Sequence, residues 1–126
     1  MSQLLLSINP EHVENILLGT KQVEFRKTRC RRNVNSVFIY ATAPQKMVVA
    51  EAAIQEIIED EIDEVWRQTS ALAGISYAFF RSYYQGRTRA VAYRLGNVKI
   101  YERPKSLSDF GVRCAPQSYV YIDEAD

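Results

Sequence analysis

A short capped helix followed at once by a strand, between Asn9 and Arg32, constrains the fold more than any other part of the chain. Asn9 is a favourable N-cap, and Pro10 suits the first helical position, where its missing N–H costs nothing. Gly19 can adopt the left-handed conformation that ends a helix. The residues that follow alternate between apolar and polar with the period of a strand. We therefore predict a helix that stops at Gly19 and a strand that begins shortly after it.

The predicted strand carries charged residues on a single face. If Val23 and Phe25 face the core, Glu24 and Arg26 point together to the opposite face, and Lys21 lies at the mouth of the strand. One interpretation is a solvated strand with a Glu24–Arg26 ion pair. The other is a pocket in which a lysine, a carboxylate and a guanidinium are held on one rigid backbone. Periodicity alone does not choose between them.

Four short motifs, taken in order, resemble the ASCH domain family, whose fold is a small β-barrel related to the PUA domains of RNA-modifying proteins. The segment 19–26, GTKQVEFR, is similar to the G-x-K-x-x-x-x-R signature of that family. The other three motifs are SINP at 7–10, YATAP at 40–44 and PQS at 116–118. The resemblance covers nearly the whole chain. It implies one ASCH or PUA-like domain over residues 1–126, with an α+β fold: a PUA-like mixed β-barrel with helices packed at its openings.

Periodicity in the rest of the chain predicts several strands with helices between them. The predicted strands cover 4–6, 36–42, 47–58, 88–101 and 118–122, and the last residues of the third are ambiguous between strand and helix. One helix is predicted over 60–69, and a second begins at the cap Ser76, stops at Gly86 and carries a wide aromatic stripe. The segment 27–35 is predicted to be a mobile loop. This irregular order of elements favours the α+β class, but it does not distinguish a barrel from an open sheet.

The composition is that of an ordinary soluble domain. Of the 126 residues, 47% are apolar and 25% are charged, and no apolar run approaches the ~20 residues that a membrane span needs. The N-terminal segment is too short and carries too little charge for a signal peptide. We therefore expect a cytoplasmic protein without membrane contact. Cys30 and Cys114 lie far apart without other ligands nearby, so we expect reduced thiols, no metal site and no cofactor.

The charge is segregated along the chain, although the net charge is only +1. An acidic run between Glu56 and Glu64 is expected to be a solvated face. A basic run between Lys21 and Arg32 is either a solvated loop or a set of phosphate contacts. The candidates for contacts with a nucleic-acid backbone are Lys27, Arg29, Arg31, Arg32 and Arg87. Four to six such contacts would give a slope of log K against log salt of roughly −3 to −4 on a single strand.

The resemblance and the residue types together favour an RNA-binding or nucleotide-binding domain. Arg26 and Lys21 are suited to a phosphate or carboxylate, Tyr40 to stacking, and Gln117 to reading a base edge. The candidate ligand-binding residues are Lys21, Glu24, Arg26, Tyr40, Thr42, Gln117 and Ser118. The expected partner is RNA or another single-stranded nucleic acid, or a free nucleotide or nucleoside.

The alternative is a small hydrolase in which Lys21 and Glu24 are the catalytic pair. One activity of the family is hydrolysis of an acetylated cytidine by a lysine, a threonine and a glutamate. Lys21 matches the lysine, but Glu24 occupies the threonine position, and 70–73, where the glutamate is expected, contains no carboxylate. Ribonuclease activity is also associated with the family. His12 is expected to be exposed and without a catalytic role. A third interpretation is an accessory domain that binds another protein through the acidic helix.

Overall fold

The computed structural model describes residues 2–123 and has the expected α+β architecture. Six strands and three helices follow one another in the order β1 (Ser2–Ile8), α1 (Pro10–Leu18), β2 (Val23–Arg26), β3 (Val34–Ala41), β4 (Met47–Glu61), α2 (Ile62–Thr69), α3 (Tyr77–Tyr83), β5 (Arg89–Lys105) and β6 (Tyr119–Asp123). Two short 3-10 helices lie at Ser70–Leu72 and Leu107–Phe110. No helix in this part of the chain is long and apolar enough to cross a membrane.

The six strands form one mixed sheet in the order β2-β5-β4-β3-β1-β6. β1 pairs with β3 in parallel, and all other pairs are antiparallel. Across residues 2–123 no backbone ladder joins the edge strands β2 and β6, so the sheet stays open. It is nevertheless curved enough for the Arg26 side chain on β2 to reach Ser7 on β1 and Ser118 just before β6. The fold is therefore barrel-like, with side chains linking the two edges of the sheet.

Helix α1 ends and begins as the sequence predicts. Asn9 is extended at φ −60° and ψ 143°, and its carbonyl accepts hydrogen bonds from the backbone N–H groups of His12 and Val13 at 3.0 Å. Gly19 stops the helix at φ 84°, in the left-handed region. Val13 and Ile16 are buried against the interior of the sheet.

Strand β2 is covered by α3, and this packing locates the site. Val23 and Phe25 are buried, as the alternation predicts, and the Phe25 ring meets the Phe80 ring edge-on at 5.0 Å. Glu24 and Arg26 consequently project to the other face of β2. The end of β1 and the start of α1 lie near that face, and they form one corner of the molecule together with α3.

Two segments differ in detail from what the sequence predicts, because of long-range contacts. β4 extends to Glu61 instead of becoming helical, because its last residues pair with β5, Glu59 opposite Val91 and Glu61 opposite Arg89. The segment 27–35, expected to be a mobile loop, is fastened to the barrel. The Cys30 N–H donates to the Tyr93 hydroxyl at 3.0 Å, and residues 34 and 35 belong to β3.

Candidate functional site

A cavity of about 220 Å³ opens where β1 ends and where α1, β2 and α3 approach one another. Three of the predicted site residues, Lys21, Glu24 and Arg26, are brought together on its wall. The full lining is Ser7, Ile8, Asn9, His12, Lys21, Glu24, Phe25, Arg26, Phe79 and Tyr83. The cavity thus combines charged groups, polar groups and aromatic rings.

Lys21 is buried at the base of this cavity. Its side chain is only 3% exposed; Nζ donates to the Ala73 carbonyl at 3.0 Å and lies 4.9 Å from the centre of the Phe25 ring. Burial lowers the pKa of Lys21, and the charge of Arg26 lowers it further, while Glu24 acts in the opposite direction. Lys21 is therefore easier to deprotonate than an ordinary lysine, and Nζ has donors left for a ligand.

Glu24 and Arg26 form a nearly buried ion pair. Arg26 Nη2 and Glu24 Oε2 lie 2.8 Å apart, with 12% and 8% of the two side chains exposed. Nη2 also donates to the Ser7 carbonyl at 2.8 Å, and Nη1 donates to the Ser118 hydroxyl at 3.1 Å. Both terminal nitrogens of Arg26 are thus engaged by protein groups. They are not free to bind a phosphate in the bidentate manner that the sequence suggested. Arg26 Nε is buried and has no partner among the described residues.

The aromatic stripe of α3 divides into two pairs with different surroundings. Phe80 and Tyr84 are 0% and 1% exposed and belong to the core, whereas Phe79 and Tyr83 line the cavity. Each pair has the i, i+4 spacing that places two side chains on one helical face. Burial raises the pKa of Tyr83, which keeps its hydroxyl protonated. Sequence reasoning treated the four rings as one stripe, although their spacing contains this division.

His12 is a site residue that sequence reasoning missed. It was expected to be exposed, but it lines the cavity, and its ring meets Phe79 edge-on at 5.5 Å. Its Nδ1 is buried without a hydrogen-bond partner among residues 2–123. The reason is positional: α1 begins directly after β1, so its first turn lies over the cavity. Ser7 and Asn9, at the same junction, were missed as site residues for the same reason.

Three predicted ligand-binding residues do not line the cavity. Tyr40 is 4% exposed and packs with Phe38 and Val48, in a cluster covered by the 3-10 helix at Leu107–Phe110, so no base can stack on it in this conformation. Thr42 is half-buried, and its N–H donates to the Ile8 carbonyl at 3.1 Å. Gln117 is exposed outside the cavity. A fourth predicted residue, Ser118, contacts Arg26 and acts on the site through it.

The predicted basic residues are divided between two ends of the molecule. Lys27 Nζ lies 4.9 Å from the centre of the Tyr83 ring, beside the cavity. Arg31 and Arg32 lie elsewhere: Arg32 pairs with Asp123 at 3.1 Å and sits 4.4 Å over the Tyr121 ring, whose hydroxyl accepts the Arg31 N–H at 2.8 Å. Arg29 and Arg87 are both exposed and do not line the cavity.

No set of three or more histidine, cysteine or carboxylate side chains within residues 2–123 is arranged to hold a metal ion. Cys30 is buried, Cys114 is exposed, and both are free thiols. The polar side chains that line the cavity carry amine, carboxylate, guanidinium, imidazole, phenol, hydroxyl and amide groups.

Comparison with known proteins identifies the family of this chain. A family model described as the ASCH domain matches residues 6–105. The chain is 28% identical over 120 residues to the large ribosomal subunit protein uL22 of Ureaplasma parvum serovar 3, covering 94% of the chain and 39% of that protein. It is 30% identical over 94 residues to an ASCH domain-containing ribonuclease of Zymomonas mobilis subsp. mobilis, covering 74% of the chain and 64% of that protein.

A solved structure gives the same relationship in three dimensions. The crystal structure of ASCH from Zymomonas mobilis aligns with a TM-score of 0.86 and 27% identity, covering 97% of this chain and 88% of that one. The chain spans less than two thirds of the length of each curated relative described above. The family match covers most of the chain and the fold agrees throughout: the chain belongs to the ASCH domain family.

Proposed function

We propose that this ASCH domain binds single-stranded RNA and that its cavity takes one unstacked nucleoside of the strand, or a free nucleotide or nucleoside. The observation that carries the proposal is the pair of buried, unpartnered polar atoms at an open cavity, Arg26 Nε and His12 Nδ1. Leaving such atoms without a hydrogen bond costs roughly 1–3 kcal/mol each. A ligand with matching polar atoms would remove that cost.

The chemistry of the wall suits a nucleobase. Phe79 and Tyr83 offer aromatic faces, and every base has a face to stack on. Lys21 and Arg26 supply hydrogen-bond donors, and Glu24 supplies an acceptor for an amino or imino group of a base edge. A volume of about 220 Å³ is below the ~300–1,000 Å³ of typical drug-sized sites, which suits one base with part of its sugar.

The names of two relatives support RNA over other ligands that contain a base. One is named a ribonuclease and another a large ribosomal subunit protein. Both names concern RNA, although the shared region is only part of each protein. An RNA-related role for this chain follows at the level of the family, and the cavity is the place where we locate it.

The test is a titration of fluorescein-labelled single-stranded RNA of ten nucleotides and random sequence, followed by anisotropy. Lys21→Met removes one positive charge at the cavity, and Lys99→Met removes one from an exposed position on β5, where 76% of the lysine side chain is accessible. We expect Lys21→Met to weaken binding at least tenfold and Lys99→Met to stay within twofold of wild type. Thermal unfolding confirms that each variant is folded. Equal affinity of Lys21→Met and wild type would refute binding at the cavity.

A second candidate function is RNA cleavage, favoured by the ribonuclease relative and by the lowered pKa of Lys21. In the step considered, the ribose 2′-oxygen forms a bond to the adjacent phosphorus and the bond from phosphorus to the 5′-oxygen breaks. A base takes the 2′-hydroxyl proton, and an acid gives a proton to the departing 5′-oxygen. Neutral Lys21 can serve as the base, and His12, which lines the same cavity, is the candidate for the acid.

Cleavage is distinguished from binding by running the RNA on a denaturing gel after incubation. If Lys21 is the base, the cleavage rate rises with pH up to its lowered pKa, and Lys21→Met abolishes cleavage. RNA that is bound but remains intact would support the binding function and exclude cleavage. RNA that is cut equally fast by Lys21→Met would exclude this role for Lys21.

The family's amidohydrolase activity has weaker support in this chain. Glu24 stands at the threonine position, and the segment 70–73 supplies a main-chain group where a carboxylate is expected. The Ala73 carbonyl accepts the hydrogen bond from Lys21 Nζ. A carbonyl can hold the amine in place, but it cannot exchange a proton with a substrate.

A further inference from the structure

A nucleotide in the cavity would need a separate place for its phosphate. The terminal nitrogens of Arg26 are occupied by Glu24, Ser7 and Ser118, and Lys21 lies at the buried base of the cavity. Neither residue therefore offers an exposed, free cation to a phosphate group. The phosphate must therefore meet cations at the mouth of the cavity.

Two exposed basic residues lie near the Tyr83 end of α3, and Tyr83 borders that mouth. Lys27 follows directly after β2, and its Nζ is 4.9 Å from the centre of the Tyr83 ring. Arg87 lies just after α3, where its N–H donates to the Tyr84 carbonyl at 2.9 Å, and it lines a groove together with Ser82 and Tyr84. Its charge also lowers the pKa of the Tyr83 phenol, although burial has the larger and opposite effect. Both side chains are exposed.

Arg32 is badly placed for the same phosphate. Arg32 Nη1 lies 3.4 Å from the Ser2 hydroxyl, and Ser2 is at the opposite end of β1 from the cavity residue Ser7. The two ends are about 17 Å apart at ~3.3 Å per residue. Arg87 also lines a neighbouring groove, in which the carboxylates of Glu61 and Asp63 balance the charges of Arg81 and Arg89.

We propose that Lys27 and Arg87, on the rim formed with Tyr83, bind the phosphate of the nucleotide whose nucleoside occupies the cavity. This inference rests on the proposed function and adds a second binding subsite to it. The cavity selects a nucleoside through polar and aromatic contacts, and the rim adds affinity that depends on charge. The strand then continues from the rim and not along the segment that contains Arg31 and Arg32.

The salt dependence of RNA binding tests the rim. Each phosphate contact on a single strand contributes about −0.7 to the slope of log K against log salt, so the Lys27→Ala, Arg87→Ala double variant, which loses one phosphate contact, should lose about 0.7 of the slope. The matched control is the Arg31→Ala, Arg32→Ala double variant, which also removes two positive charges. With the labelled ten-nucleotide RNA, we expect the rim variant to bind at least fivefold more weakly at low salt and the control to match wild type.

The outcomes distinguish the phosphate rim from RNA binding at the cavity, on which it rests. A slope flattened only by the rim variant supports the rim. A slope flattened by the control and unchanged in the rim variant overturns it, while the loss of binding in Lys21→Met would still uphold the cavity. Wild-type protein that does not bind the RNA, or Lys21→Met that binds it fully, overturns the proposed function and the rim together.

Discussion

Arg26 on β2 donates from Nη2 to the carbonyl oxygen of Ser7 on β1 at 2.8 Å, and this bond joins two strands that have no ladder between them. The same nitrogen pairs with Glu24 Oε2 at 2.8 Å. One guanidinium therefore links the edges of the sheet, neutralises a buried carboxylate and forms part of the cavity wall. Stability and the candidate site depend on the same side chain.

Replacing Arg26 with leucine should destabilise the fold strongly. The substitution keeps much of the side-chain volume but leaves the Glu24 carboxylate, which is 8% exposed, without its partner. Breaking a buried pair in this way costs about 3–5 kcal/mol. The measurement is the free energy of unfolding from urea denaturation.

The control for that variant is Arg32→Leu, which also breaks an arginine–carboxylate pair. Arg32 and Asp123 are 52% and 72% exposed, so their pair is screened by solvent and should contribute less than about 1 kcal/mol. Losses of similar size in the two variants would show that the Arg26–Glu24 pair has no special structural role.

Gly74→Ala should disturb Lys21, and Gly86→Ala should not. Both glycines have positive φ, 65° and 81°, so each alanine suffers backbone strain of about 1–2 kcal/mol. A Cβ at Gly74 would also lie 2.6 Å from the Lys21 Cβ, whereas a Cβ at Gly86 meets nothing within 4 Å. We expect urea denaturation to show the larger loss for Gly74→Ala and RNA titration to show weaker binding for that variant alone. Equal behaviour of the two would mean that the contact with Lys21 is unimportant.

Phe79→Ala and Phe80→Ala should separate binding from stability at adjacent positions of α3. Phe80 is fully buried, and removing its ring should cost about 3 kcal/mol or more of unfolding free energy. Phe79 is 48% exposed at the cavity, so its loss should change stability little. A base stacked on Phe79 is worth roughly 1–3 kcal/mol, which predicts RNA affinity at least about fivefold lower. Undiminished RNA binding by Phe79→Ala would remove this ring from the binding surface.

The lowered pKa of Lys21 predicts a dependence of stability on alkaline pH. Between the folded pKa and the ordinary value of 10.5, the unfolded chain binds more protons at this residue than the folded chain does. Stability from Lys21 therefore rises with pH in that window. Urea denaturation at a series of pH values up to about 10 should show this rise in wild type relative to Lys21→Met, in which the contribution of Lys21 is absent and the tyrosines are unchanged. If the unfolding free energies of wild type and Lys21→Met changed with pH in parallel, the lowered pKa of the buried Lys21 would be contradicted.

Much of the local structure was predictable because it depends on short-range geometry. The cap at Asn9, the left-handed stop at Gly19 and the alternation of β2 each follow from conformational preferences of neighbouring residues. The α+β class and the ASCH family were also identified from the sequence, since ordered motifs identify a family without any coordinates.

The burial of the charged face of β2 was decided only by tertiary structure. Alternation places Glu24 and Arg26 on the same face, but it does not say whether solvent or protein covers that face. In the folded chain, the end of β1, the first turn of α1 and helix α3 enclose it, which turns a surface ion pair into a cavity wall.

The same distinction explains the other differences at the site. His12 was predicted to be exposed because its own helix has only one apolar stripe, and it borders the cavity because α1 is placed over the end of the barrel. Arg32 belongs to the same basic run as Lys21 and Arg26, yet it pairs with Asp123 at the far end of β1. The sequence determined the direction of each side chain relative to its own backbone. Contacts between distant segments decided which of those side chains meet, because they depend on how the sheet curves and where the helices pack against it.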